Sequence, residues 1–194
     1  MLFDYLALSI VLTACGRLVS VELGKQVHGF SLKHQHLLCK SNTSVLSINN
    51  ALVSMYSKCG SISDAARVFQ RMKHKDVFSW TAMITGCVHQ GMACKSLHLF
   101  HKMRRDGIKL NSITYLGLLT ACAHAGLVEE GARYFSTMSR DKNTEPSIEH
   151  YACMVDMFGR TGQFAKAEAM VVTGILRLGL KQSSAGSLPC TQTI

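Results

Sequence analysis

From Val77 to Asn111 the chain reads VFSWTAMITGCVHQGMACKSLHLFHKMRRDGIKLN, with apolar residues at helical spacing on both sides of Gly91. The pattern predicts two short amphipathic helices broken by that glycine. Imperfect copies lie before and after it. With Val77 as position 1, Gly91 is position 15. The matching glycines are Gly60, Gly126 and Gly162, and successive intervals along the four are 31, 35 and 36 residues. Position 20 holds Gly24, Ala65, Ser96, Gly131 and Ala167, always small. Position 7 holds Val11, Leu52, Met83, Leu118 and Met154, and position 8 holds Leu12, Val53, Ile84, Leu119 and Val155. Phe69, Phe100 and Phe135 share position 24, and Met72, Met103 and Met138 share position 27. The unit is a helix hairpin of about 35 residues, and a period of that size predicts an all-α solenoid of stacked helix-turn-helix repeats.

The columns divide the chain into a long repeat with an insertion (5–45), a short repeat (46–76), a 35-residue repeat (77–111), a long repeat (112–147), an incomplete repeat (148–173) and an irregular tail (174–194). The opening MLFDYLALSIVLTAC has the apolar middle of a signal peptide, but it lacks a basic start, and its SIVLTAC matches the LGLLTAC that ends at Cys122. It reads as the first helix of a repeat beginning near Tyr5. The insertion HQHLLCKSNTS extends the first repeat by about six residues. In the second repeat, helices are expected over Ser47 to Lys58 and Ile62 to Met72, with Ser61 and Ser63 accepting hydrogen bonds at the start of the latter and Asp64 at the positive end of its dipole. Lys102, Arg104 and Arg105 suit a helix end before Asp106-Gly107, and Glu129, Glu130 and Arg140 complement the dipole of another helix. The pattern is lost from Gly174 onward, and the chain looks cut at both ends.

Composition sharpens this picture in three ways. Hydrophobic residues make up 47% of the chain with two prolines, which suits helices packed on neighbours at both faces. No apolar run approaches the roughly 18 residues of a membrane span. Lys and Arg outnumber Asp and Glu by 21 to 12, for a net charge of +9, which attracts polyanions, nucleic acid first and anionic membrane next, without choosing between them. Of the eight cysteines, Cys15, Cys87 and Cys122 share position 11. Equivalent positions of neighbouring helices lie about 10 Å apart, beyond disulfide reach, so these read as buried thiols. His34, His36 and Cys39 form a three-ligand cluster with no matched fourth, a poor zinc site, and no metal or cofactor is expected.

The phrases NALVSMYSKCGSISDAARVF, DVFSWTAMITG, LLTACAHAGLVEEGARYF and IEHYACMVDMFGRTG resemble plant pentatricopeptide repeat proteins, in the subgroup that alternates ordinary, long and short repeats. The resemblance covers about Tyr5 to Val172. The insertion, Leu110 in place of the family's usual proline, and the tail depart from it. It implies a right-handed superhelix whose first helices line a groove for single-stranded RNA, with one base read per repeat by position 5 and the last position. By that rule Asn50 and Asp76 favour uracil over cytosine, and Thr81 and Asn111 select adenine, giving pyrimidine then adenine from 5′ to 3′. Short side chains with fixed donors and acceptors suit the Watson–Crick edge of an unstacked base. Phe78 and the equivalent Ser47 would clamp the base. Leu116, Ser9 and Ala152 at position 5 of the other repeats are poor readers. Trp80, Tyr115 and Tyr151 share position 4 and are expected in the core, while Lys102, Arg104, Arg105 and Lys109 either meet phosphate or form a solvated face.

Members of this subgroup often end in a cytidine deaminase domain, which needs His-x-Glu and Cys-x-x-Cys for its zinc chemistry. Neither spacing occurs in this chain, which reads as non-catalytic by itself. The resemblance implies a part of an organellar RNA-processing or editing factor, mitochondrial or chloroplast, with processing or editing proteins as further partners and no membrane. No Arg- and Ser-rich transit segment precedes Tyr5. Two alternatives stand beside this: a tetratricopeptide-like scaffold that holds peptides in its groove, and a truncated fragment without function.

Overall fold

The computed structural model describes residues 5–34, 41–141 and 144–185; His36 and Cys39 of the three-ligand cluster lie outside them. The chain divides into two compact units, Met1–Ala121 and Cys122–Ile194. Among the described residues all regular structure is helical: α1 (Tyr5–Arg17), α2 (Val21–Lys33), α3 (Asn42–Lys58), α4 (Ile62–Arg71), α5 (Val77–His89), α6 (Ala93–Arg105), α7 (Ser112–Ala125), α8 (Val128–Arg140), α9 (Ile148–Arg160) and α10 (Phe164–Ala185).

One turn is repeated throughout. Gly60, Gly91, Gly126 and Gly162 have φ of 77°, 69°, 69° and 72°, a left-handed conformation that a Cβ disfavours. At Gly91 the N–H reaches Val88 O at 2.9 Å while Met92 N–H reaches back to Cys87 O at 2.9 Å, which satisfies carbonyls that the end of α5 would leave bare. The same backward bond follows Gly60, Gly126 and Gly162, from Ser61 to Tyr56, Leu127 to Cys122 and Gln163 to Phe158, each 2.9 Å. In the first repeat position 15 is Val19. It takes the same turn, with φ 53° and a 3.0 Å bond from Ser20 N–H to Cys15 O.

In the first unit each second helix packs on the first helix of its own repeat, and first helices pack on one another, α1 against α3 and α3 against α5. In the second unit α9 packs on both α8 and α10. Small residues permit the close approach. A Cβ on Gly24 would come within 2.4 Å of Met55 Sδ, and one on Gly131 within 2.6 Å of Met157 Cε, so a glycine at position 20 makes room for a methionine at position 10 of the next repeat. Aromatic contacts recur in the same register. Phe69 meets Trp80 edge-on at 4.8 Å between ring centres, and Phe135 meets Tyr151 at 5.1 Å, each pairing position 24 with position 4 of the following repeat. Trp80, Tyr115 and Tyr151 are buried, as are Cys15, Cys87 and Cys122, and the described cysteines are all free thiols.

Three local expectations change. The second repeat's first helix begins at Asn42, not Ser47: Ser41 caps it, its Oγ accepting from Ser44 N–H at 3.2 Å, so part of the insertion is helix. Ser61 makes no side-chain cap, because its ψ of 67° follows the glycine turn and is not extended; its hydroxyl donates to Asp64 Oδ2 at 2.7 Å instead. The last helix runs past Gly174 to Ala185. GILRLGLKQSSA departs from the repeat columns but is rich in helix formers and free of proline, and propensity suffices to continue an existing helix. Gly174 is itself packed closely: a Cβ there would lie 3.1 Å from Tyr151 Cγ.

Candidate nucleic-acid interface

The structure links the side chains expected to read bases through hydrogen bonds that in each case include the hydroxyl of a further residue, Ser79 or Thr114. Asp76 is the N-cap of α5, its Oδ1 accepting from Ser79 N–H at 2.9 Å. Asn50, in the preceding first helix, donates through Nδ2 to Asp76 Oδ1 at 3.1 Å and Oδ2 at 3.3 Å. The Ser79 hydroxyl lies 2.6 Å from Asn50 Oδ1 and 2.9 Å from Asp76 Oδ1. A carboxylate only accepts, so the amide nitrogen of Asn50 must be the atom that faces it.

The next pair follows the same plan. Asn111 Oδ1 accepts from Thr114 N–H at 2.8 Å, capping α7, and from the Thr114 hydroxyl at 2.7 Å. The Thr81 hydroxyl lies 2.7 Å from that of Thr114. Thr114 has a single hydroxyl proton and gives it to Asn111, so Thr81 is the donor between the two. Thr114 is fully buried and Thr81 only 7% exposed, whereas Asn50, Asp76 and Asn111 are half-buried. In the second unit the corresponding cap joins Ser147 to His150: the Ser147 N–H donates to His150 Nδ1 at 3.1 Å and its hydroxyl lies 2.7 Å away.

Ser79 and Thr114 were not singled out from sequence. Their signal is local, a hydroxyl three residues after Asp76 and Asn111, which reads as a helix start. Its link to position 5 spans a whole repeat. Beside the pairs, Phe78 at position 2 is 65% exposed and Ile113, the same position one repeat on, is 56% exposed; Ser47 is half-buried and its hydroxyl lies 3.3 Å from that of Ser9.

The basic residues expected at phosphate lie on one second helix and the connection after it. Lys102, Arg104 and Arg105 occupy the last turn of the second helix α6, and Lys109 lies in the connection that follows; all four are exposed, Arg104 lying 5.9 Å from the Phe100 ring centre. Asn50 and Thr81 are on first helices, and Asp76 and Asn111 cap the starts of first helices; the last turns of the first helices carry Arg17, Lys58 and His89 in the first unit. Eleven residues is about three helical turns, so His89 falls on the same face of α5 as Phe78. A cavity of about 540 Å³ against α2, α3 and α4 is lined in part by His28, Tyr56, Arg71 and Lys73. His28 Nδ1 lies 2.9 Å from the Tyr56 hydroxyl, and burial lowers the imidazole's pKa. Asn50, Asp76, Thr81 and Asn111 do not line this cavity. Among the described residues no three His, Cys, Asp or Glu side chains cluster to hold a metal, and no helix is long and apolar enough to cross a membrane.

The PPR repeat family model matches residues 75–124, and the PPR repeat model matches residues 50–77 and 113–143. The chain belongs to the pentatricopeptide repeat (PPR) family. A PPR-containing protein of Arabidopsis thaliana is 42% identical over 170 residues, which are 88% of this chain and 23% of the relative. Another, named as mitochondrial, is 44% identical over 160 residues, covering 82% and 24%; a third, named as chloroplastic, is 40% identical over 161 residues, covering 83% and 21%. This PPR chain thus spans between 18% and 31% of the length of such relatives. Among solved structures, the maize PPR protein PPR10 aligns with a TM-score of 0.64 at 20% identity, over 88% of this chain and 24% of that one. It has also been solved with an 18-nucleotide RNA element. The PPR domain of Arabidopsis protein-only RNase P 1, solved with tRNA, aligns with a TM-score of 0.66 at 14% identity over 86% of each chain. At these identities the likeness is one of fold, an all-α solenoid of helix-turn-helix repeats.

Proposed function

We propose that this chain is a non-catalytic recognition module for single-stranded RNA, part of a longer organellar RNA-processing or editing factor of the subgroup that alternates ordinary, long and short repeats. Asn50 with Asp76 reads a pyrimidine, and Thr81 with Asn111 reads the adenine that follows it. The observation that carries this reading is the recurrence, in two successive repeats, of a polar position-5 side chain hydrogen-bonded into the cap made by the last position, beside an exposed apolar residue. The RNA bound to PPR10 and the organellar names of the relatives support it by family likeness.

The hydrogen-bonding groups fit the bases assigned. Adenine presents N6–H and N1 side by side, a donor for the Thr81 oxygen and an acceptor for the Asn111 amide N–H. Uracil presents N3–H to the Asp76 carboxylate and a carbonyl to the second N–H of Asn50. Phe78 and Ile113 flank the adenine, and Phe78 with Ser47 flanks the pyrimidine; stacking on the Phe78 ring contributes about 1–3 kcal/mol per base. Lys58 and His89 end the helices that carry Asn50 and Thr81, and Arg17 ends the first helix before them; we assign the three to phosphate. Lys102, Arg104, Arg105 and Lys109 supply a more diffuse attraction, which weakens with salt.

The test is binding at fixed salt to RNAs containing a uracil–adenine or a uracil–guanine step, by the wild type and by Asn111→Asp. The substitution replaces an amide donor with an acceptor, which together with the Thr81 oxygen matches the adjacent N1–H and N2–H donors of guanine. Wild type should prefer adenine and the variant guanine, by about tenfold each. Equal, purely salt-dependent binding of both RNAs by both proteins would overturn the reading. Targeting is tested separately, by imaging the full-length protein in plant cells, where a cytosolic location would refute the organellar assignment.

A further inference from the structure

Resting on that reading, we propose that each base is read by three residues, not two: the third residue of the following repeat, Thr114 for Thr81 and Asn111 and Ser79 for Asn50 and Asp76, is a positioning residue that decides which atoms of the pair face the base.

Counting protons leads there. Thr114 delivers its only hydroxyl proton to Asn111 Oδ1, 2.7 Å away. It must then accept from Thr81, also at 2.7 Å. Two consequences follow together. The Thr81 proton is committed inward, so its oxygen meets the base only as an acceptor. Asn111 Oδ1, held by the Thr114 N–H and hydroxyl, faces inward and leaves the NH₂ group to face out. The pair therefore presents one acceptor and one donor in a fixed order, the complement of adenine's N6–H and N1. If the Thr114 hydroxyl is removed, the Thr81 hydroxyl rotates freely and can donate as readily as accept. Thr81 can then donate to guanine O6 as readily as accept from adenine N6–H, while Asn111, still held by the Thr114 N–H, keeps its outward N–H for adenine N1, so one of the two contacts that reject guanine is lost and the other stays.

Ser79 does the corresponding work one repeat earlier. Its hydroxyl lies 2.6 Å from Asn50 Oδ1, which together with the Asp76 carboxylate on the nitrogen side pins both ends of the amide. The second N–H of Asn50 is then the group left for a pyrimidine oxygen. Thr114 and Ser79 are buried, so neither touches the base; they act through the pair.

The experiment uses the same fixed-salt binding with Thr114→Val, Thr114→Ser, Ser79→Ala and Asn111→Asp, with folding of each variant followed by circular dichroism. Thr114→Val keeps the backbone N–H that caps α7 on Asn111, and removes only the hydroxyl. The expected result is a partial fall of the adenine-over-guanine preference, from about tenfold to about threefold, with unchanged discrimination at the pyrimidine position. Thr114→Ser should restore the preference. Ser79→Ala should do the reverse, relaxing uracil against purines while leaving adenine against guanine intact, which tests the proposal if the valine variant fails to fold. A purely structural role would weaken all RNAs alike and leave the base ratios untouched, and that result would overturn the proposal. If Asn111→Asp switches preference but Thr114→Val and Ser79→Ala leave every ratio at the wild-type value, the two-residue reading stands and the third member falls. If Asn111→Asp fails to switch, the base-reading assignment falls and takes this proposal with it.

Discussion

Val19 occupies the place that glycine holds in the four other repeats, and replacing it with glycine should stabilise the protein. Its φ is 53°, beside 69° to 77° for Gly60, Gly91, Gly126 and Gly162. A side chain in this region is strained by about 1–3 kcal/mol, towards the upper end for a β-branched residue. Against relief of about 2 kcal/mol stand the extra freedom of glycine in the unfolded chain, about 0.7 kcal/mol, and modest lost burial. Val19 is 62% exposed, so the apolar loss is about 0.5 kcal/mol. The net gain is roughly 1 kcal/mol, equivalent to about 2–4 °C in melting temperature for a chain of this size. Stacked repeats unfold partly in segments, so the gain should concentrate in the first hairpin, as slower amide hydrogen exchange in α1 and α2. The reciprocal substitution, Gly91→Val, is a control without steric ambiguity, because nothing lies within 4 Å of a Cβ at that position; it should destabilise by more than about 1 kcal/mol. A neutral or destabilising Val19→Gly, or two substitutions that shift exchange in the same direction, would refute the claim that residue 19 carries the position-15 turn.

Further outcomes follow from packing and burial. Gly86→Ala should destabilise by about 1 kcal/mol in urea unfolding: a Cβ there would lie 2.6 Å from Ser57 Cβ, and overpacking of 1–3 kcal/mol exceeds the helix-propensity gain of about 1 kcal/mol. Ser96→Ala should stabilise by about 1 kcal/mol, since the Ser96 hydroxyl is buried without a hydrogen-bond partner at a position that is alanine in two other repeats. Exposed Cys94 should react with a thiol reagent at pH 8 while buried Cys15, Cys87 and Cys122 react only on unfolding. Burial pushes the Cys122 thiol up to about 11, so its contribution is fully present below the unfolded value of about 8.5 and is lost as pH rises towards 11; Cys122→Ala should remove that part of the alkaline loss of stability.

How much of this was legible in the sequence depended on whether a feature repeats. The glycines at position 15 and the small residues at position 20 recur because every hairpin turns and packs alike, and the turns and close contacts lie where those columns place them. Trp80, Tyr115 and Tyr151 were readable as core for the same reason. Asn42 to Leu46 and the extension beyond Gly174 belong to no column, and there only local capping and propensity decide, as the Ser41 cap and the proline-free run to Ala185 demonstrate. Ser79 and Thr114 were missed for a different cause. A hydroxyl at the third helical position explains itself as part of a cap, and nothing local reveals that it also touches a side chain 29 or 33 residues earlier. That contact exists only because first helices lie side by side.

On the proposed reading Asp76 and Asn111 each have two tasks, which the geometry assigns to different atoms. Asp76 and Asn111 must each offer an oxygen to the first free N–H groups of the helix that follows, and Oδ1 does so in both, at 2.9 and 2.8 Å. Asn and Asp are almost equally good at this. The remaining terminal atom, Oδ2 in one and Nδ2 in the other, is not needed by the cap. It is the only atom by which the two residues differ, acceptor in aspartate and donor in asparagine. Exchange of one for the other therefore leaves the helix start intact and inverts what is offered to a base. On this view the hairpin array separates folding from recognition at the level of two atoms on one side chain, and a reading position can change its base without unfolding the repeat that carries it.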